Sequence, residues 1–269
     1  MEWVILLGVG LAAAITGSLV GLGGGIIIVP ALLFLGGTAL LANVSPQIAV
    51  GTSSVILIVT GLSSTLAYMK QKKVDYRLGL ILFIGSAPGS ILGAWANKGL
   101  NVDQFSLYFG LFMVLMSFVL MLKSRAKPVF GARGIARTFV DSEGTHTYAI
   151  EPVTGTAASF TVGFFGGLFG IGGGSLMVPA MIMLFAVPPH VAVATSMLLI
   201  FLSACVSSVT HVALGNVEWL YAAALVPGAW FGAKLGAWLN ARMASKTVVL
   251  LLRLVLILVG VRLIWQGIH

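Results

Sequence analysis

The chain has 269 residues, 59% of them hydrophobic and only 8% charged, with a mean hydropathy of +1.08. A soluble domain carries about three times that charged fraction, so the composition describes an integral membrane protein. The net charge of +8 comes from basic residues scattered at the ends of apolar runs, which excludes a nucleic-acid footprint, and the single cysteine, Cys205, excludes an internal disulfide and most metal-site patterns.

The first uncharged run covers 3–69. As continuous helix it would be about 100 Å long, against a bilayer core of about 30 Å, so it should enter or cross the membrane three times. Its natural divisions are a glycine cluster and the stretch from Gly36-Gly37 to Pro46. This predicts helices over 3–20, 26–40 and 46–69, the last opened by Ser45 as N-cap and Pro46 at the first helical position. With no basic leader and no clear small-residue cleavage site, the stretch from Trp3 reads as a retained helix. A basic loop with Lys70, Lys72, Lys73 and Arg77 follows, then helices over 78–97 and 104–122.

Residues 123–151 form the only long polar stretch, with Lys123, Arg125, Lys127, Arg133 and Arg137 ahead of Asp141, Glu143 and Glu151. Thr138-Phe139-Val140 and Thr147-Tyr148-Ala149-Ile150 could pair as a hairpin about a turn at Ser142-Glu143-Gly144. A plain cytoplasmic linker between two membrane halves is the favoured reading.

The second half repeats the first. Gly21-Leu22-Gly23-Gly24-Gly25 with Val29-Pro30-Ala31 returns as Gly170-Ile171-Gly172-Gly173-Gly174 with Val178-Pro179-Ala180. Pro46-Gln47-Ile48-Ala49-Val50-Gly51-Thr52-Ser53 returns as Pro189-His190-Val191-Ala192-Val193-Ala194-Thr195-Ser196, and Gly93-Ala94-Trp95-Ala96-Asn97 as Gly236-Ala237-Trp238-Leu239-Asn240. Three correspondences in order mark an internal duplication. Charge then suggests how the halves sit, because basic loops favour the cytoplasm. In the first half the basic loop is 70–77; its counterpart 211–218 has no Lys or Arg, and the basic residues Arg242 and Lys246 come one loop later. Five passes per half would invert the second copy and move the bias in this way. The predicted fold is therefore an all-α membrane protein, an inverted repeat of about five glycine-broken segments each, eight to ten in total. Its parts are a first repeat over 1–122, the linker, and a second repeat over 152–269, with both termini and 211–218 outside.

Several residue sets could carry chemistry. Each glycine cluster breaks a helix where no water can satisfy the backbone, and such breaks in matching positions of two halves point to a transport site. Gly23, Gly24 and Gly25, and Gly172, Gly173 and Gly174, would offer free N–H groups and the positive end of a helix dipole to an anion, with Ser175 adding a hydroxyl. Close helix packing is the competing reading. A nucleotide loop is excluded, because neither cluster is followed by Lys-Ser/Thr or reads G-x-G-x-x-G. Thr52, Ser53, Thr195 and Ser196 fall ~10 Å into the membrane and, with Asn97 and Asn240, could line a polar path or simply bond their own backbone. All seven carboxylates lie at segment ends or in loops, whereas Lys234 lies deep in an apolar segment. A deep cation without a carboxylate favours an anionic substrate, with snorkelling as the alternative. His211 and His190 are candidate proton carriers.

The duplicated Gly-x-Gly-Gly-Gly-(x)3-Val-Pro and Pro-x-x-Ala-Val-[Gly/Ala]-Thr-Ser motifs resemble the sulfite exporter TauE/SafE family of membrane permeases. The resemblance covers nearly the whole chain outside 123–151. It implies transport of small sulfur-containing anions, such as sulfite or sulfoacetate, across a prokaryotic inner membrane. The motif positions it reaches are the two glycine triplets, Pro30, Pro179, Thr52, Ser53, Thr195 and Ser196, with Ala194 replacing Gly51 in the second copy. The expected protein is a secondary carrier working by alternating access, with the bilayer and a small anion as partners and no cofactor, metal or nucleic acid. A homo-oligomer is compatible with this. A passive anion channel or a carrier of non-sulfur carboxylates stays open. A membrane enzyme built on Cys205 or a hydroxyl with His211 has no visible nucleophile–base–acid set.

Overall fold

The computed structural model describes residues 2–38, 41, 44–122, 135–141, 144–174 and 176–268. Ser175 and most of the basic linker lie outside them. The first half contains α1 (Glu2–Val20), α2 (Gly25–Gly37), α3 (Pro46–Lys70), α4 (Tyr76–Ala96) and α5 (Val102–Leu122). The second contains α6 (Pro152–Phe169), α7 (Met177–Phe185), α8 (Pro189–Ala213), α9 (Trp219–Asn240) and α10 (Ser245–Ile268). Glu2–Val20, Pro46–Lys70, Tyr76–Gly99 and Pro189–Ala213 are each long and apolar enough to cross a bilayer. α5, α9 and α10 match them in length at 21, 22 and 24 residues.

Local chemistry sets the helix starts. Ser45 caps α3, its hydroxyl accepting from Ile48 N–H, with Pro46 at the first helical position. Asp75 caps α4 by accepting from Arg77 and Leu78 N–H, and Glu218 caps α9 from Leu220 N–H. Each cap satisfies donors that a membrane environment would leave orphaned.

Every long packing runs between the halves. α1 lies along α9, α4 along α6, α3 against α8, and α5 against α10, so exchanging the halves maps this set of pairings onto itself. Two stripes of glycine four residues apart make the tightest pairs. Gly85, Gly89 and Gly93 of α4 bring its backbone against Thr156, Phe160 and Phe164 of α6. Gly228, Gly232 and Gly236 of α9 do the same against Leu7, Leu11 and Ile15 of α1. Between helices in lipid such close van der Waals contact replaces the hydrophobic drive.

The linker corrects the sequence reading. It holds a hairpin, β1 (Ile135–Asp141) paired antiparallel with β2 (Gly144–Ile150). A two-stranded ribbon is marginal alone. Here Tyr148 and Ile150 are buried against the bundle, and the Tyr148 hydroxyl donates to the Asp75 carboxylate. That docking is a tertiary effect, which turn and strand propensities do not register.

Candidate functional site

At each glycine cluster the chain reverses. Gly21, Gly23 and Gly24 have φ of 80°, 73° and 94°, and Gly170 and Gly172 have 69° and 78°, values that only glycine adopts without strain. Leu22 and Gly23 N–H both donate to the Gly17 carbonyl, and Ile171 N–H donates to the Gly166 carbonyl. Gly24 then lies against Ala13 and Gly17, so the chain turns back beside the helix it has just left. α2 begins there with no side chain capping its first turn.

The two clusters meet. Gly25 packs on the Gly170 carbonyl and Ile171, while Gly23 and Gly172 both rest on the same two side chains, Leu57 of α3 and Ile200 of α8. Leu57 and Ile200 are fully buried. A void of about 10 Å³ beside Gly17 and Gly24 has room for about one water. The junction is closely packed.

The Thr–Ser motif stitches one half to the other. Ser53 Oγ donates to the Gly170 carbonyl at 2.9 Å and Ser196 Oγ to the Gly21 carbonyl at 3.0 Å. Thr52 Oγ1 accepts from Glu218 N–H at 3.0 Å, and Thr195 Oγ1 accepts from Asp75 N–H at 3.1 Å. Only Ser196 also makes the local bond, to Val193 O at 2.8 Å. Asn97 Nδ2 donates to Leu168 O at 2.8 Å and Asn240 Nδ2 to Leu19 O at 2.6 Å. Those carbonyls lie in the last turn before each break, where intrahelical amides run out. The asparagines therefore act as side-chain caps for the broken helices.

The second cluster has a polar wall that the first lacks. Ser86 Oγ of α4 donates to Gly173 O at 3.0 Å, and Ser90 also lies against Gly173. The matching positions of α9 are Ala229 and Ala233. Sequence reasoning missed Ser86 and Ser90, although alignment of the two halves exposes the difference. It also missed the recurrence of an acidic cap, Asp75 and Glu218, at the same distance beyond each Thr–Ser pair.

Lys234 is placed elsewhere. It is exposed on α9, with its Nζ 4.9 Å above the Trp230 ring, in a groove of about 790 Å³ lined also by Lys70, Gln71, Met69 and Trp238. His190 is held at its ring by Asn240, with 2.9 Å between Nδ1 and Oδ1. Among the described residues no group of His, Cys, Asp and Glu could hold a metal.

Long apolar helices paired between two halves around two buried breaks are the frame of a multi-pass membrane transporter. The chain belongs to the Sulfite exporter TauE/SafE family, whose model matches residues 6–263. It is 58% identical over 271 residues to the probable membrane transporter protein YunE of Bacillus subtilis (strain 168), covering 100% of this chain and 99% of that one. A probable membrane transporter protein of Xylella fastidiosa (strain Temecula1) is 28% identical over 93% of this chain and 90% of its own. Sulfite exporter TauE/SafE family protein 6 of Arabidopsis thaliana is 27% identical over 63% of this chain and 37% of its own. No solved structure matches the chain significantly.

Proposed function

We propose that the protein is a secondary transporter for small anions, with sulfite, sulfoacetate and related organosulfur anions as substrates, in a prokaryotic inner membrane. The reading rests on one observation above all: the two glycine breaks share Leu57 and Ile200. A small displacement of α3 against α8 would part these side chains and uncover backbone N–H groups of the clusters to one side or the other. Helix N-termini with no capping side chain suit an anion. The exchange symmetry of the helix pairings supports an inverted repeat, the architecture in which alternating access follows from swapping the conformations of two halves. Lys70 and Lys234 in their groove would raise the local concentration of an anion near the bundle.

The test is flux. Purified protein in proteoliposomes should exchange labelled sulfite or sulfoacetate, with trans-stimulation by unlabelled anion, and should discriminate against sulfate and simple carboxylates. Electrogenic flux far above carrier rates, without trans-stimulation, would assign the protein to passive channels instead. Failure to move any of these anions would remove the reading.

A further inference from the structure

The two halves treat one matching position in opposite ways. In the first half, Tyr68 donates to Ser18 O at 2.8 Å, Ser64 donates to Ser18 Oγ at 2.8 Å, and Ser18 Oγ donates to Ala233 O at 2.8 Å. Ser18, Ser64 and Tyr68 are thus satisfied, although Thr65 Oγ1 beside them has no hydrogen-bond partner. Aligned on the repeated motifs, Ser18, Ser64, Thr65, Tyr68 and Ala233 correspond to Gly167, Ser207, Ser208, His211 and Ser90. In the second half the Oγ atoms of Ser90, Ser207 and Ser208 and both ring nitrogens of His211 have no hydrogen-bond partner. All four side chains are at most 4% exposed.

These groups come from α4 and α8, which pack on one another. Ser207, Ser208 and His211 share one face of α8, being three and four residues apart. The Ser90 backbone carbonyl lies beside Gly167, and the His211 ring faces the Gly167 carbonyl without reaching hydrogen-bond geometry. Ser90 also touches Gly173, so the set borders the second glycine break. Serines in a helix ordinarily bond the carbonyl one turn back, and two adjacent ones here do not. Each buried polar group left unmatched is costly, and Ser207 and His211 are unmatched where their counterparts Ser64 and Tyr68 are bonded, a difference that a bound ligand would remove.

The geometry points to Ser90, Ser207, Ser208 and His211 as a buried subsite that takes a small oxyanion together with a proton. This rests on the transport reading above. Three hydroxyls and a protonated imidazole are all donors, and an oxyanion accepts from all of them, whereas a metal cation would find no carboxylate. A proton from solvent adds to the free ring nitrogen as the anion enters, and both leave when the site opens to the other side. α1, α3, α4, α6, α7 and α10 pack against α8. Their titratable side chains are Glu2 on α1, Tyr68 and Lys70 on α3, Tyr76 and Arg77 on α4, none on α6 or α7, and Lys246, Arg253 and Arg262 on α10. α8 itself adds His190, engaged by Asn240, and Cys205, while Glu218 beyond its end caps α9. His211 is therefore the group whose protonation would follow anion entry.

The probe is sulfoacetate, whose own charge is constant from about pH 6 to 8. Full-chain protein labelled in its histidine rings, with the His211 signal assigned through His211→Gln, should show that ring becoming protonated as sulfoacetate is added near neutral pH. Affinity should fall by about tenfold per pH unit where one proton accompanies each anion. His211→Gln should weaken binding at least tenfold and flatten that dependence. His211→Tyr, which copies Tyr68 and keeps the space filled, should do the same if the Gln variant folds poorly. Ser207→Ala with Ser208→Ala should weaken binding and keep the pH slope. A pH profile unchanged in His211→Gln or His211→Tyr, or a ring signal indifferent to bound sulfoacetate, would overturn the proposal while wild-type flux left the transport reading standing. Absence of wild-type binding to sulfoacetate and sulfite alike would overturn both.

Discussion

The hydroxyl of Thr195 accepts the backbone N–H of Asp75 at 3.1 Å, and both groups are buried. The hydroxyl thus ties the start of α8 to the cap of α4. Thr52 performs the same task for Glu218 at 3.0 Å, in a partly buried setting. Thr195→Val is isosteric but leaves the amide unmatched, at a cost of about 1–3 kcal/mol. Thermal unfolding in detergent should show Thr195→Val losing a few degrees, Thr52→Val losing less, and Thr195→Ser close to wild type. Equal melting of Thr195→Val and wild type would mean that the amide finds another partner.

The glycine triplets should not respond alike. Gly24 combines φ 94° with contact on the Ala13 carbonyl, so any Cβ there meets backbone in a strained conformation. A Cβ on Gly173 meets the hydroxyls of Ser86 and Ser90. Gly24→Val and Gly173→Val should both abolish flux while the protein still reaches the membrane. Gly173→Ala should be partly rescued by Ser86→Ala, whereas no single side-chain change should rescue Gly24→Ala. Normal flux in both valine variants would reduce the clusters to packing devices.

For Lys234 the groove implies a rate effect. Lys234→Met should slow uptake several-fold at low substrate and low salt, with the difference shrinking as ionic strength rises, because a long-range field is screened. Lys234→Arg should keep most of the rate. A loss of saturable affinity of roughly tenfold, independent of salt, would instead make the ammonium a direct ligand.

Sidedness can be measured by single-cysteine labelling after Cys205 is replaced. Asp75 joins Tyr148 to Thr195, and Gln71 Nε2 donates to Ala237 O, so 70–75, β2 and the end of α9 gather at one end of the bundle. Thr52 with Glu218, and Gln47 with the Asn97 carbonyl, mark the other end. Cysteines placed in 123–134 and 241–246 should label from the cytoplasm, and those in 211–218 from outside. Labelling of 123–134 and 241–246 from opposite sides would contradict the proposed inverted repeat.

Helix bounds were legible because apolar runs, Ser45-Pro46 and the glycine clusters act locally. Predicted 46–69 and 104–122 stand beside α3 (Pro46–Lys70) and α5 (Val102–Leu122). The site was legible as motifs but not as contacts. Nothing local says that Ser53 reaches Gly170 or that Leu57 and Ile200 pair, since those meetings depend on how two distant halves dock. Lys234 shows the same limit: depth along the helix follows from sequence, whereas the face it occupies follows from the α1–α9 packing. The hairpin was open as the alternative to a plain linker, and what decides for it, the burial of Tyr148, is not a local property.

The reciprocal bonds of the Thr–Ser motifs have a consequence for assembly. Thr52, Ser53, Thr195 and Ser196 each reach a group in the opposite half, as do Asn97 and Asn240. A fragment made alone would leave these groups facing lipid unmatched. Two fragments split within 123–134 and produced in one cell should find each other, since each presents the complement the other lacks. Reconstitution of flux from such a split pair, and rapid degradation of either piece expressed singly, would show that the covalent join between the two halves is dispensable for folding while their mutual recognition is not.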